Sequence, residues 1–240
     1  MPCPSAFFAR KEVLAVLAFT NMTIQGGSAT LLDGASGMVQ PGEVLGLIAP
    51  NGMGKTTLMR ALMGAPDVTW RGTVLADDVP ISQEEEYRRL VFYVPGDASL
   101  LYPLVTVHEQ LHLACRCWKA NEKIENAAKR CRIDGFLYKR IHSLSLGMKQ
   151  QVALAVGYLT GARYLLLDEP MNALDPTNLK LNSEIIRGLC DEGTGVLMSS
   201  HILPNVEDLA DEVVFIRDRS LSVLPANHPG LIDTYDQLYG

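Results

Sequence analysis

The sequence has no long hydrophobic run. Its longest apolar stretches, Val13–Phe19 and Tyr164–Leu167, are far shorter than the roughly 20 residues that a helix needs to cross a bilayer. Val13–Phe19 follows Arg10 and Lys11, as the apolar part of a secretory signal would, but it lacks the length of such a signal. We therefore interpret Val13–Phe19 as an edge strand of a folded domain.

A surplus of basic residues is also missing. The 240 residues include 21 Lys and Arg against 27 Asp and Glu, which gives a formal net charge of −6 at pH 7. A nucleic-acid-binding face requires a basic patch or stripe. We therefore expect no nucleic-acid partner.

Cysteine is sparse and irregularly spaced. The cysteines form no C-x-x-C pair, and their odd number does not indicate a disulfide framework. We expect reduced thiols in a cytosolic protein. The five cysteines are Cys3, Cys115, Cys117, Cys131 and Cys190.

Apolar runs recur along a chain of otherwise ordinary composition. Several of them lack alternation, which is typical of strands buried on both faces, and helical segments lie between them. We predict an α/β fold with a mostly parallel sheet, as one domain over residues 1–240. Residues 99–160 have almost no strand signal, so we predict a helical insert there. The strand-like runs are Val13–Ile24, Val44–Ile48, Leu90–Val94, Tyr164–Leu167, Val196–Ser199 and Val213–Ile216.

The segment Ala49–Thr57, APNGMGKTT, is one residue short of the phosphate-binding pattern G-x-x-x-x-G-K-[ST]. A strand-like run precedes it and a helical segment follows, which is the context that such a loop requires. Main-chain amides around Gly52 and Gly54 can approach phosphate oxygens at the helix start. Lys55 would reach the β- and γ-phosphates, and Thr56 would offer its hydroxyl to Mg²⁺.

Alanine at position 49 replaces the first glycine of that pattern. Even a positive φ at this residue would cost only about 1–2 kcal/mol, which the rest of the fold can absorb. We therefore predict that the whole loop binds a nucleotide. Its residues are Ala49, Pro50, Asn51, Gly52, Met53, Gly54, Lys55, Thr56 and Thr57.

Two acids end a second apolar strand, Tyr164–Leu167. The carboxyl ends of parallel strands meet at one edge of a sheet, so Asp168 and Glu169 should lie beside the phosphates. Asp168 would orient Mg²⁺ through its water shell, and Glu169 would polarise the attacking water as general base. His201 follows another apolar strand at the same edge, where it could hold the γ-phosphate and the water.

Together these motifs resemble the nucleotide-binding subunit of an ATP-binding cassette (ABC) transporter over essentially the whole chain. Leu144–Gln151, LSLGMKQQ, is similar to the family signature L-S-G-G-Q-x-Q-R and opens a predicted helix, Met148–Leu159. Pro170–Asp175 resembles the family's D-loop, and Asp175-Pro176 is a typical helix start. Ser199-Ser200-His201 resembles its switch histidine.

The resemblance implies a P-loop NTPase core with an N-terminal antiparallel β part and a helical sub-domain. It also implies a head-to-tail dimer, in which each ATP lies between the phosphate loop of one subunit and the signature of the other. Ser145 and Gly147 would contact the γ-phosphate from across the dimer, with Leu146 and Met148 beside them, and Asp175 would belong to the D-loop. A separate membrane permease would hold the subunit at the inner face of the cell membrane.

The chain departs from the family pattern in four places. Gly96 stands where the family has a glutamine that reaches Mg²⁺, and Asp97 is the adjacent candidate to replace it. Leu146 replaces a glycine, as in exporters with Ser-Leu-Gly-Met-Lys-Gln signatures, and Gln151 replaces an arginine. Ile24–Gly27 lacks the aromatic residue that stacks on adenine, which weakens base stacking by about 1–3 kcal/mol.

His108–His112 matches the zinc-protease pattern H-E-x-x-H, with Cys115 three residues further on. Thr106 and Glu109, however, have the spacing of a capping box that starts a helix. Because the capping box already accounts for Glu109, we favour it over a zinc site.

Three functions remain open at this stage. The first is the ATPase subunit of a transporter, an exporter by analogy, as a homodimer or as a heterodimer with a paralogue. The second is a regulatory or degenerate subunit that binds ATP with little turnover, which Gly96 and the missing aromatic favour. The third, a soluble cassette protein of ribosomes or chromosomes, is disfavoured because tandem cassettes, coiled coils and a basic excess are missing.

Overall fold

The computed structural model describes residues 15–27, 29–120, 122–172, 174–228 and 230–239. Its strands are β1 Leu17–Gly26, β2 Ala29–Val39, β3 Val44–Ile48, β4 Thr69–Ala76, β5 Val79–Pro80, β6 Val91–Val94, β7 Tyr164–Leu167, β8 Gly195–Ser200, β9 Glu212–Arg217 and β10 Ser220–Pro225. Its helices are α1 Lys55–Leu62, α2 Glu84–Leu90, α3 Val107–Trp118, α4 Ile124–Arg130, α5 Leu146–Thr160, α6 Pro176–Asp191, α7 Pro204–Glu207 and α8 Leu231–Tyr239.

A six-stranded sheet forms the centre of the molecule, in the order β10-β9-β3-β8-β7-β6. The five strands from β9 to β6 run parallel, and β10 pairs antiparallel with β9. Every residue of β3, β7 and β8 is buried, which explains why their sequences lack alternation. The prediction of a mostly parallel α/β sheet is confirmed.

A second sheet is antiparallel, with the order β2-β1-β4-β5. Strand β1 pairs with β2 on one side and with β4 on the other, so the prediction that Val13–Phe19 is an edge strand is wrong. Residues 13 and 14 lie outside the described residues. The apolar pattern of a strand indicates which faces are buried, but its neighbours come from distant parts of the chain.

In the described residues, only helices and loops connect β6 with β7. Helix α3 begins with the predicted capping box: the Thr106 hydroxyl accepts a hydrogen bond from Glu109 N–H, and Glu109 accepts one from Thr106 N–H at 2.7 Å. The predicted helix Met148–Leu159 is confirmed within α5. In the described part of the chain, no helix has both the length and the apolar content to cross a membrane.

Two apolar cores sandwich the central sheet. One joins the sheet to α3, α4, α5 and α6, and the other joins it to α1 and the antiparallel sheet. The carboxyl ends of β3, β7 and β8 lie side by side between these cores because the three strands are parallel neighbours. The phosphate loop, Asp168, Glu169 and His201 follow these strands at this edge.

Candidate functional site

The predicted phosphate loop connects the buried strand β3 with helix α1. Gly52 and Gly54 have φ angles of 84° and 97°, in the left-handed region that favours glycine, and Gly54 caps α1. Ala49 is buried and its φ is not positive, so the strain considered for this residue does not arise. Alanine therefore fits the first position of the loop.

Lys55 folds back over this loop. Its side chain is only 5% exposed, and its Nζ donates hydrogen bonds to the carbonyl oxygens of Ala49 at 2.7 Å and Pro50 at 3.4 Å. The same Nζ lies 3.3 Å from Oε1 of Glu169. The neighbouring Thr56 is exposed, so its hydroxyl is open to a ligand.

Glu169 lies between Lys55 and His201. Oε1 of Glu169 forms an ion pair with Lys55 without the geometry of a hydrogen bond, while Oε2 lies 2.9 Å from Nδ1 of His201. The backbone of Glu169 has a φ of 48°, a conformation that costs energy for a residue with a side chain and is common at functional sites. The three residues singled out from the sequence thus form one chain of contacts.

Asp168 is held by two hydroxyl groups from neighbouring strands. Ser199 Oγ donates to its Oδ1 at 2.6 Å, and Tyr93 OH donates to its Oδ2 at 3.0 Å. Burial, and then the Asp168 carboxylate, raise the pKa of Tyr93 above its usual value. Ser199 also accepts a hydrogen bond from Glu169 N–H at 2.9 Å, so this one hydroxyl orients both acids.

Sequence reasoning gave no role to the Tyr93 and Ser199 side chains. Both residues sit on strands that flank β7, and a register prediction for the parallel strands was the signal that could have found them.

The signature segment starts helix α5. Ser145 is its N-cap residue, and its Oγ accepts a hydrogen bond from Met148 N–H at 3.3 Å. Leu146 is exposed and Gly147 is buried. Among the described residues, no hydrogen bond or ion pair joins this segment to the phosphate loop of the same chain.

Asp175 caps helix α6, as predicted from Asp175-Pro176. Its Oδ1 accepts hydrogen bonds from the backbone N–H groups of Thr177 and Asn178 at 3.0 and 3.1 Å. The bond from Asn178 N–H contributes most to holding the pKa of Asp175 below its usual value.

Gly96 packs directly against the backbone of the acidic strand. A Cβ at this residue would lie 2.4 Å from the carbonyl oxygen of Asp168, so no side chain fits there in this arrangement. The adjacent Asp97 accepts a hydrogen bond from Ser99 N–H at 2.9 Å, and hydrogen bonds from Ser99 lower the pKa of Asp97. Asp97 thus already has a partner in its own loop.

Leu31, which sequence reasoning missed, lies between the end of β1 and the phosphate loop. A Cβ at Gly26 would be 2.7 Å from Cδ1 of Leu31, and a Cβ at Gly54 would be 3.3 Å from its Cβ. An aliphatic side chain therefore stands close to the segment where the family's stacking aromatic was sought.

The H-E-x-x-H segment is part of α3. Glu109 is engaged in the capping box, and the ring of His108 stacks on Tyr138 with centroids 5.7 Å apart. Within the described residues, no group of three or more His, Cys, Asp or Glu side chains is arranged to hold a metal ion.

Comparisons with known proteins identify the family. The family described as "ABC transporter" matches residues 32–172. The uncharacterized ABC transporter ATP-binding protein YdbJ of Bacillus subtilis (strain 168) is 34% identical over 194 residues, which are 80% of this chain and 63% of YdbJ. The Nod factor export ATP-binding protein I of Paraburkholderia xenovorans (strain LB400) is 31% identical over 211 residues, which are 85% of this chain and 68% of that protein.

A comparison with solved structures finds the same family. A solved structure described as the ATP binding subunit of an ABC transporter superimposes with a TM-score of 0.79 at 25% identity, covering 94% of this chain and 95% of the other. This chain spans less than two thirds of the length of YdbJ. The chain belongs to the ABC transporter family, and its fold is that of the family's ATP-binding domain.

Proposed function

We propose that this chain is the ATP-hydrolysing subunit of a transporter and drives a separate membrane permease. The observation that carries the proposal is the chain of contacts from Lys55 through Glu169 to His201 at the phosphate loop. Transfer of a phosphoryl group to water requires a cation on the phosphates and a positioned group that accepts the proton of the water. The three side chains supply these groups.

Each residue has a distinct role in this proposal. The loop amides and Lys55 bind the β- and γ-phosphates, and Lys55 exchanges its contact with Glu169 for a phosphate oxygen. Oε1 of Glu169 is then free to accept a proton from the attacking water, while His201 holds Oε2 and fixes the direction of the carboxylate. The hydroxyl of Ser199 keeps the backbone of Glu169 in its strained conformation.

The residues around Asp168 fit a magnesium ion. Asp168 and Thr56 supply a carboxylate and a hydroxyl, which are the oxygen ligands that Mg²⁺ prefers, and the hydroxyls of Ser199 and Tyr93 orient the carboxylate. Asp168 would act through a water molecule and Thr56 directly. A bound Mg²⁺ would neutralise charge on the phosphate oxygens.

We further propose that the site is completed by a second subunit. Ser145, Leu146, Gly147 and Met148 would approach the γ-phosphate of the partner, because the start of α5 offers a hydroxyl, amides and the positive end of a helix. ATP would close this head-to-tail dimer and hydrolysis would open it. Both a homodimer and a heterodimer with a paralogue satisfy this geometry.

The permease and the direction of transport belong to the proposal as well. The signature Ser-Leu-Gly-Met-Lys-Gln resembles that of exporters, and a relative bears the name Nod factor export ATP-binding protein. We propose an export role, with the subunit on the cytoplasmic face of the membrane and residues 99–160 contacting the permease.

ATP hydrolysis by the purified wild type and by Glu169→Gln tests the proposal. We expect Mg²⁺-dependent turnover by the wild type and a loss of at least about 100-fold in kcat for the variant, because the amide cannot accept the proton. The variant should retain ATP and elute from gel filtration as a dimer. Wild-type kcat in Glu169→Gln would exclude this residue as the base.

The alternative is a regulatory or degenerate subunit. The observation that favours it is Gly96, which brings the Asp168 backbone so close that no side chain can reach the metal from this position. Tight ATP binding by the wild type without turnover, unchanged in Glu169→Gln, would favour this alternative. Addition of the permease or of a paralogue would then show whether a partner restores hydrolysis.

A further inference from the structure

Asn182 is a polar residue in an apolar position. It lies on helix α6, is fully buried, and shares the buried face of the helix with Ile185, Ile186 and Leu189. Its Oδ1 has no hydrogen-bond partner. An unsatisfied buried acceptor lowers stability, so this oxygen offsets part of what the hydrogen bonds of the same side chain contribute.

The amide of Asn182 links three parts of the site. Its Nδ2 donates to the carbonyl oxygen of Pro170 at 3.2 Å, and Oε1 of Gln150 lies 3.5 Å away. Pro170 directly follows Glu169, and Gln150 belongs to the signature helix α5. Asn182 therefore connects α6, α5 and the backbone next to the proposed base.

Asn178 makes the corresponding contact one helical turn earlier on α6. Its Nδ2 donates to Oδ2 of Asp175, and a Cβ at Gly147 would lie 2.9 Å from its Cγ. Asn178 therefore contacts both the D-loop and the signature. We use the term asparagine seam for the four residues Asn178, Asn182, Gly147 and Gln150.

Gln150 also lines a small cavity beside the acidic strand. A cavity of about 10 Å³ lies beside this side chain, and Gly96, Asp168 and Pro170 are among its other lining residues. That volume accommodates about one water molecule. Gln150 and Asp168 therefore line the same small cavity.

We propose that Asn178 and Asn182 are positioning residues for ATP hydrolysis. They hold the signature and the D-loop, which the proposed dimer presents to its partner, in fixed register with Glu169. A directional hydrogen bond such as that from Asn182 to the Pro170 carbonyl is kept in only one register of α6, whereas an apolar contact tolerates several. This inference rests on the proposed function, since it requires hydrolysis at a site that two subunits share.

Two substitutions distinguish a role of the asparagines in positioning the site from a role in packing α6 alone. Asn182→Leu keeps the approximate volume and removes the unsatisfied acceptor, but it also removes the donor to the Pro170 carbonyl, so we expect a folded protein of similar or moderately lower stability. Asn178→Asp keeps the shape but replaces the donor to Asp175 by a second carboxylate, so the contact between α6 and the D-loop becomes repulsive. Ser183→Ala is the control, because Ser183 Oγ donates to the Leu179 carbonyl within α6 itself.

Steady-state ATP hydrolysis and urea unfolding are measured for all four proteins. We expect kcat to fall about tenfold or more in both seam variants, because misplaced groups slow the chemical step. The KM for ATP should stay unchanged in both seam variants, their loss of kcat should exceed what any loss of stability explains, and Ser183→Ala should match the wild type.

Wild-type kcat in both seam variants would overturn the inference. A decrease in kcat that only follows a decrease in stability would also overturn it, because packing alone would then account for the seam. If Asn182→Leu does not fold, Asn178→Asp decides the question alone. A wild type that binds no ATP contradicts the proposed function instead, and the inference fails with it.

Discussion

Gly96 lacks a side chain where its loop packs against the backbone of Asp168. The backbone on either side of it approaches Asp168 more closely than any other residue type permits. The loop after β6 and the acidic strand are therefore in direct backbone contact. The glutamine of the family pattern could replace Gly96 only if one of the two backbones moved.

Gly96→Ala should therefore destabilise the protein and impair hydrolysis. The added methyl group would lie 2.4 Å from the Asp168 oxygen, and overpacking of this kind costs about 1–3 kcal/mol. Urea unfolding and ATP hydrolysis measure the two effects. Gly135→Ala is the matched control, since a Cβ at Gly135 meets no atom within 4 Å. Equal stability of both variants would contradict the close contact at Gly96.

The site residues differ in how far the sequence predicts them. Lys55 could be found from the phosphate-loop pattern, and Asp168, Glu169 and His201 because they follow recognisable strands. Asn182 could not, because a lone asparagine in a helical pattern normally faces solvent. Only the packing of α5 on α6 makes it a buried residue.

Helix α3 shows how a local signal determines an element. Thr106 and Glu109 satisfy each other's backbone N–H groups at the helix start, and Glu109 is exposed, so the contact depends on little else. The same segment supplied the zinc-like pattern. Its glutamate has a structural partner three residues away.

Thr106→Ala should lower the free energy of unfolding by about 1 kcal/mol, the usual contribution of such a cap. Thermal or urea unfolding measures the change. Thr177→Ala serves as the control, because Thr177 is exposed and α6 is capped by Asp175 instead. Equal losses in the two variants would show that the cap contributes nothing specific.

Individual helices and strands were predicted better than the pairing between strands. Apolar runs and caps act within a few residues, so β3, β7, α3 and α6 could be located from the chain alone. The pairing of β1 with β4 joins residues 44 to 59 positions apart, for example Phe19 with Val74, which no local pattern encodes.

At the scale of the whole molecule, α8 joins the two cores. The ring of Tyr239 packs against residues of both, and its hydroxyl donates to the Ile216 carbonyl at 2.6 Å, with the Ile48 carbonyl at 3.3 Å. Ile48 is the last residue before the phosphate loop. Burial raises the pKa of Tyr239 to about 12.

Tyr239 should therefore make stability sensitive to alkali. Its pKa is higher in the folded protein than in the unfolded chain, so its contribution is complete below about pH 10 and is lost as the pH rises towards 12. Tyr239→Phe should be less stable than the wild type at pH 7, by about 1 kcal/mol, and the difference should shrink at pH 11. Urea unfolding at both pH values measures it, and the other tyrosines are common to both proteins. A constant difference would contradict this account.

The contacts of Lys55 have a consequence for selectivity among anions in the cell. Its ammonium group already has two carbonyl oxygens and a carboxylate as partners, so an incoming phosphate must replace them rather than fill an unmet charge. In the proposed function a nucleoside triphosphate makes additional contacts with the loop amides that inorganic phosphate cannot make. We therefore expect the loop to favour the triphosphate over inorganic phosphate.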